Sequence, residues 1–167
     1  MTNRDWDQYF MTMAYLVATR SKDQSTTVGS VIVSQDNVVK ATGYNSFVRG
    51  FEDEPHHHER PLKYELIEHS ERNAIYNAAR VGNSLSGCKI YLPWMPCTDC
   101  ARAIIQAGIV EVILHAEYPG HTGWSDKQEI ALDMFNKCGV VLRHWSGKID
   151  QISGLISGKV FDPSVSN

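Results

Sequence analysis

The chain has 167 residues, 43% hydrophobic and 21% charged, with sixteen Lys and Arg against nineteen Asp and Glu for a net charge of −3. That length fits one domain over residues 1–167, and the composition excludes disordered, collagen-like and disulfide-scaffold classes. The cations are scattered, which argues against a long nucleic acid, since a polynucleotide needs Lys and Arg gathered along its phosphates. A small anionic ligand needs only a few donors.

No run of about 18 apolar residues is present, so no membrane span is expected. The opening MTNRDWDQYF lacks a basic segment leading into an apolar one, so no secretory signal is expected. Two of the four cysteines form a CxxC, which points to a reducing, cytoplasmic setting with metal or thiol chemistry.

Trp6, Phe10, Met13 and Val17, with Tyr9 and Leu16 beside them, recur at helical spacing behind Asp5, a suitable N-cap, and the pattern ends near Arg20. Thr27–Ser34 and Val38–Tyr44 read as strands joined by the turn Gln35-Asp36-Asn37. From Asn45 to about Leu62 the text is irregular and reads as a long loop, a type of segment that often carries function. A helix is expected from about His69 to Arg80, a short strand over Lys89–Leu92, and a helix over Cys97–Ala107 behind Pro96. Val110–Leu114 reads as a strand, Asp126–Cys138 as a helix capped by Ser125 and ended by Gly139, and Val140–Arg143 as a fifth strand. The Ser- and Gly-rich tail after Trp145 reads as weakly structured. Strands alternating with helices imply an α/β sheet covered on both faces.

Three parts of this pattern carry chemistry. His69-Ser70-Glu71 opens one helix, and Pro96-Cys97-Thr98-Asp99-Cys100 opens another. Cys97 and Cys100, three apart, put their sulfurs on one helix face. The partial positive charge of a helix N-terminus favours thiolate, the form a metal ligand requires. One imidazole and two thiolates make a tetrahedral zinc site with a vacant position, the mark of catalytic rather than structural zinc. Glu71, two residues from a ligand, is placed to move protons without competing for the metal. A CxxC alone is weak, being shared with redox pairs and zinc ribbons. A ribbon would need a fourth ligand at short spacing, which neither Cys88 nor Cys138 supplies.

The H-x-E…P-C-x-x-C order is the signature of the zinc deaminases. RPLKYELIEHSERNAIYNAAR and PCTDCARAIIQAGIVEVIL, with RSKDQSTTVGSVIVS and TGYN upstream, resemble the deoxycytidylate (dCMP) deaminases, including those of phages. The resemblance covers Arg20 to about Val141. It implies a three-layer α-β-α sandwich around a five-stranded mixed sheet, hydrolysis of dCMP to dUMP and ammonia, and one catalytic zinc on His69, Cys97 and Cys100. It also implies a homohexamer in the cytoplasm (the host's, if phage-encoded) and a deoxynucleoside triphosphate effector with Mg2+.

Ser70 is a departure, standing where the family usually has Ala. His69 as first ligand separates the chain from free-nucleoside cytidine deaminases, which usually place Cys there. By resemblance Asn45 would bind the sugar; Arg20 and Lys22, from RSKD, are candidates near the phosphate, and Tyr118, shortly after the fourth strand, is a candidate for flanking the base. Deamination of a base in tRNA or single-stranded DNA, or of free cytidine, is the alternative. His56, His57 and His58 suggest a second metal, but a solvated loop tip is the expectation.

Overall fold

The computed structural model describes residues 5–116, 118, 126–149 and 152–164. Helix α1 (Trp6–Ala18) begins at Asp5, whose side chain accepts from the Asp7 N–H at 2.9 Å. Its buried face differs from the expected one. Trp6, Tyr9 and Leu16 are more than half exposed, whereas Phe10, Met11, Ala14, Tyr15 and Ala18 are buried. Strand β1 (Gly29–Val33) supplies the reason: a Cβ on Gly29 would stand 2.1 Å from the Ala14 carbonyl oxygen. Only small residues permit that approach, so the alanines choose the face and the larger rings turn outward.

Strand β2 (Val39–Tyr44) pairs antiparallel with β1 across the expected turn. The long loop after it holds more order than its text suggests. Strand β3 (Ser46–Phe47), a 3-10 turn at Pro55–His58, helix α2 (Lys63–Leu66) and strand β4 (Ile67–Glu68) follow in turn, and β4 pairs with β3. Then come α3 (Ser70–Val81), β5 (Lys89–Leu92), α4 (Thr98–Gln106), β6 (Glu111–His115), α5 (Asp126–Lys137) and β7 (Val141–Trp145). The expected cap Ser125 lies outside the described residues. The tail departs from expectation: β8 (Gly154–Ile156) and β9 (Lys159–Phe161) form a hairpin, held by backbone bonds described below.

The five-stranded sheet runs β2-β1-β5-β6-β7. β1 is antiparallel to β2 and β5, while β5, β6 and β7 are parallel, so the sheet is mixed as expected. Alternation divides its side chains between two cores. Val31, Val33, Tyr91 and Ile113 pack with α1, while Ile32, Ile90, Leu92, Val112 and Leu114 pack on the side of α3, α4 and α5. Gly43 repeats on this second side what Gly29 does on the first: a Cβ there would meet the Ser70 carbonyl oxygen at 2.3 Å. Helix α3 also covers the sheet edge. Asn73 and Asn77 donate to the Tyr44 and Thr42 carbonyls at 2.7 Å, and Asn83, just past the helix, donates to Lys40 at 2.9 Å, satisfying acceptors on β2.

Candidate active site

Helices α3 and α4 each begin with a residue singled out in the sequence. His69 is the N-cap of α3 and Cys97 that of α4, both with extended backbone, and Cys100 lies in the first turn of α4. The His69 Nδ1 atom is 3.6 Å from the Cys97 sulfur and 3.5 Å from the Cys100 sulfur. All three ligand atoms fall within 4.8 Å of one another. Arg72 ties the two helix starts together: it donates to Glu68, which also accepts from the His69 N–H at 3.0 Å, and its guanidinium lies 3.6 Å from Asp99 of α4.

The electrostatics suit a cation. The hydrogen bond from Cys100 acidifies the Cys97 thiol to about 3, against the opposing effect of burial. Cys100, facing that thiolate in a buried position, is pushed up and keeps its proton. The Cys97 thiolate in turn raises His69 to about 8. A divalent ion would displace the remaining protons, and a nitrogen with two sulfurs is a donor set that zinc takes. Glu71 is 6% exposed and lies in the first turn of α3, its Oε2 accepting from the Ser70 hydroxyl at 2.9 Å.

His69, Ser70, Glu71 and Cys97 form one wall of a cavity of about 470 Å³, with Trp94 and Met95 beside them. That volume lies within the range of about 300–1,000 Å³ usual for small-molecule sites. The rest of the wall comes from distant segments: Asp23, Ser25, Thr26 and Asn45, then Arg60 and Lys63, then Lys127 of α5 and Ser157 of the tail. Lys63 is 6% exposed and donates to Asp23 Oδ1 at 2.6 Å and to the Ser25 hydroxyl. Burial works to raise the Asp23 carboxyl, but the bonds from Lys63, Ser25 and Thr26 outweigh it and hold the group ionised below the usual range. Two of the three Lys63 N–H groups are so engaged, which leaves one for a ligand.

The substrate-binding expectations fare unevenly. Asn45 lines the cavity, with Oδ1 accepting from Val28 N–H at 2.7 Å and Nδ2 donating to the Thr26 carbonyl at 2.7 Å and to Asp23 at 3.3 Å. Arg20 and Lys22 do not line it. Ser21 Oγ donates to the Asn45 carbonyl and Asp23 turns inward, so Lys22 between them faces away and pairs with Asp53 at 3.6 Å. The cations that line it are Arg60, Lys63 and Lys127. Tyr118 is buried in the α1-side core, its ring 5.6 Å from that of Trp94, and is no part of the lining. His58 bonds Asp53 at 2.6 Å, while Glu54, His56 and His57 offer ligand atoms within 4.8 Å of one another at an exposed turn.

Comparison with known proteins adds what geometry cannot. The family model described as the cytidine and deoxycytidylate deaminase zinc-binding region matches residues 4–116. The chain belongs to that family. It is 36% identical to the deoxycytidylate deaminase of Homo sapiens over 154 residues, covering 89% of this chain and 84% of the relative. It is 35% identical to that of Mus musculus over 156 residues, with the same coverage. The fold is similar to that of dCMP deaminase from the cyanophage S-TIM5, solved in complex with dCMP and dUMP. The TM-score is 0.66 at 22% identity, covering 87% of this chain and all of that one. Among the described residues, no helix of this deaminase is long and apolar enough to cross a membrane.

Proposed function

We propose that this deaminase hydrolyses the 4-amino group of dCMP, releasing dUMP and ammonia and so supplying dUMP for thymidylate synthesis. The observation that carries the reading is one cavity that brings a His-Cys-Cys cluster and a buried glutamate together with the cations Arg60, Lys63 and Lys127. His69, Cys97 and Cys100 would hold zinc, which when bound lowers the pKa of a water from about 15.7 towards about 7. The remaining work falls to the chain. Trp94 and Met95 wall the base and restrict water. Glu71 takes the proton of the attacking water, passes it to N3 as oxygen adds to C4, and moves a proton to the departing amine. Asn45 Oδ1 keeps a lone pair for a sugar hydroxyl. Lys63 and Arg60 would take the 5′-phosphate, in place of Arg20 and Lys22, with Lys127 adding positive charge.

A homohexamer in the cytoplasm completes the reading. The outward rings of α1, with Trp6 52% exposed, offer apolar surface for a second copy of the chain. A deoxynucleoside triphosphate with Mg2+ is proposed as effector, and a separate cavity of about 410 Å³ bearing Lys22, Arg49 and Arg80 has the charge for polyphosphate.

The test is ammonia release from dCMP, CMP, deoxycytidine and a cytosine-containing oligonucleotide. Deoxycytidine leaves the phosphate donors unpaired, so dCMP should lead it by at least about 10²-fold in kcat/KM. Equal use of deoxycytidine, or preference for the oligonucleotide, would overturn the substrate.

A further inference from the structure

Ser70 stands between His69 and Glu71, is 1% exposed, and carries a hydroxyl that must find a partner in that setting. Its partner is Glu71 Oε2, at 2.9 Å. The backbone beneath it is fixed from the sheet. Ser30 Oγ of β1 donates to the Ser70 carbonyl at 2.8 Å, and Gly43 of β2 lies so close under the same oxygen that a Cβ there would stand 2.3 Å away. Two strands therefore set the position of Ser70, and Ser70 sets one oxygen of Glu71.

That matters because the last torsion of a glutamate is broad and roughly two-fold, so the backbone alone does not decide which oxygen faces the reaction. A carboxylate two residues from a metal ligand must also be kept from becoming a ligand itself. A hydrogen bond to a charged acceptor is strong enough to decide both questions. Alanine would fill the same space without a donor.

We propose that Ser70 is a positioning residue for Glu71: its hydroxyl occupies Oε2 and fixes the carboxylate plane, leaving Oε1 to exchange protons with the substrate. The inference rests on the acid–base reading of Glu71. Ser70 touches no reacting atom and acts only through its neighbour, so removing it should slow turnover without weakening nucleotide or metal binding.

The experiment compares Ser70→Ala, Glu71→Ala and the double variant in the zinc-loaded full chain, with kcat and KM for dCMP, bound zinc, and melting temperature after metal removal. Ser70→Ala should lower kcat about tenfold, with KM changed less than about twofold and zinc retained. In the Glu71→Ala background, followed over long single-turnover incubations, the same change should cost less than about twofold, because the group it positions is gone. The melting losses of the two single variants in metal-free protein should likewise fail to add. A wild-type kcat for Ser70→Ala beside a crippled Glu71→Ala would overturn this inference alone, as would an equal fold-loss in both backgrounds. A Glu71→Ala protein at the wild-type rate would overturn the acid–base reading and this inference with it.

Discussion

The cavity has two walls built by different means. One is made by helix beginnings: His69 and Glu71 on α3 and Cys97 on α4, with Cys100 buried behind it, each pair within three residues of sequence. The other is made by chain segments that meet only in the folded molecule: Asp23 with Lys63, forty residues apart, beside Asn45, Arg60, Lys127 and Ser157. The first wall depends on helix geometry, which holds donors in place at short range. The second depends on a buried ion pair, and such a pair collapses into an uncompensated charge when either partner goes. On the proposed reading, chemistry sits on the local wall and recognition on the assembled one.

The largest effect expected is on the first wall. Glu71→Ala should cost at least about 10²–10⁴-fold in kcat while zinc stays near one per chain by elemental analysis. Retention of a tenth of the wild-type rate would remove Glu71 from its role. On the second wall, Arg60→Met should lower kcat/KM for dCMP by about tenfold and leave the slow deoxycytidine rate within about threefold, whereas Lys63→Met should lower both, because it leaves Asp23 buried and unpaired. The deoxycytidine rate reports whether the site still folds, so parallel loss on both substrates would make Arg60 structural rather than a phosphate donor. Smallest of all, Lys22→Ala should change dCMP kinetics by less than about twofold, since its pairing with Asp53 is an exposed contact worth about 0–1 kcal/mol. A dCMP-specific loss there would return the phosphate to the other side of the loop.

The same division decides what could be read from the sequence. His69, Glu71, Cys97 and Cys100 were legible because helix spacing converts sequence distance directly into space, and β5 was legible to its end residues because it is short and buried on both sides. Lys63 was not, since no periodicity links it to Asp23; the available hint was a lysine close upstream of His69, set between Leu62 and Tyr64. Arg20 and Lys22 drew attention as the cations of a recognisable motif, and a one-residue alternation put Lys22 outside and Asp23 inside. The outer face of α1 misled for a similar reason. Hydrophobic periodicity weighs large rings most, whereas the closest helix–strand approach is chosen by Ala14 and Ala18 over Gly29. The β8–β9 hairpin was invisible because its composition is that of a loop and its partners lie near the other end of the chain.

Those partners have a consequence for synthesis. Thr27 N–H donates to the Leu155 carbonyl at 2.9 Å, Gly158 N–H to the Ser25 carbonyl at 2.7 Å, and the Leu155 and Ser157 N–H groups to the hydroxyls of Thr27 and Thr26. Thr26 and Thr27, at the cavity's edge, are thus braced by a segment 128–131 residues further along the chain. On the ribosome all three candidate ligand residues have emerged once α4 is out, but the far wall of the cavity waits for residue 158 to clear the exit tunnel. A nascent chain would hold the metal-binding residues before its cavity was complete.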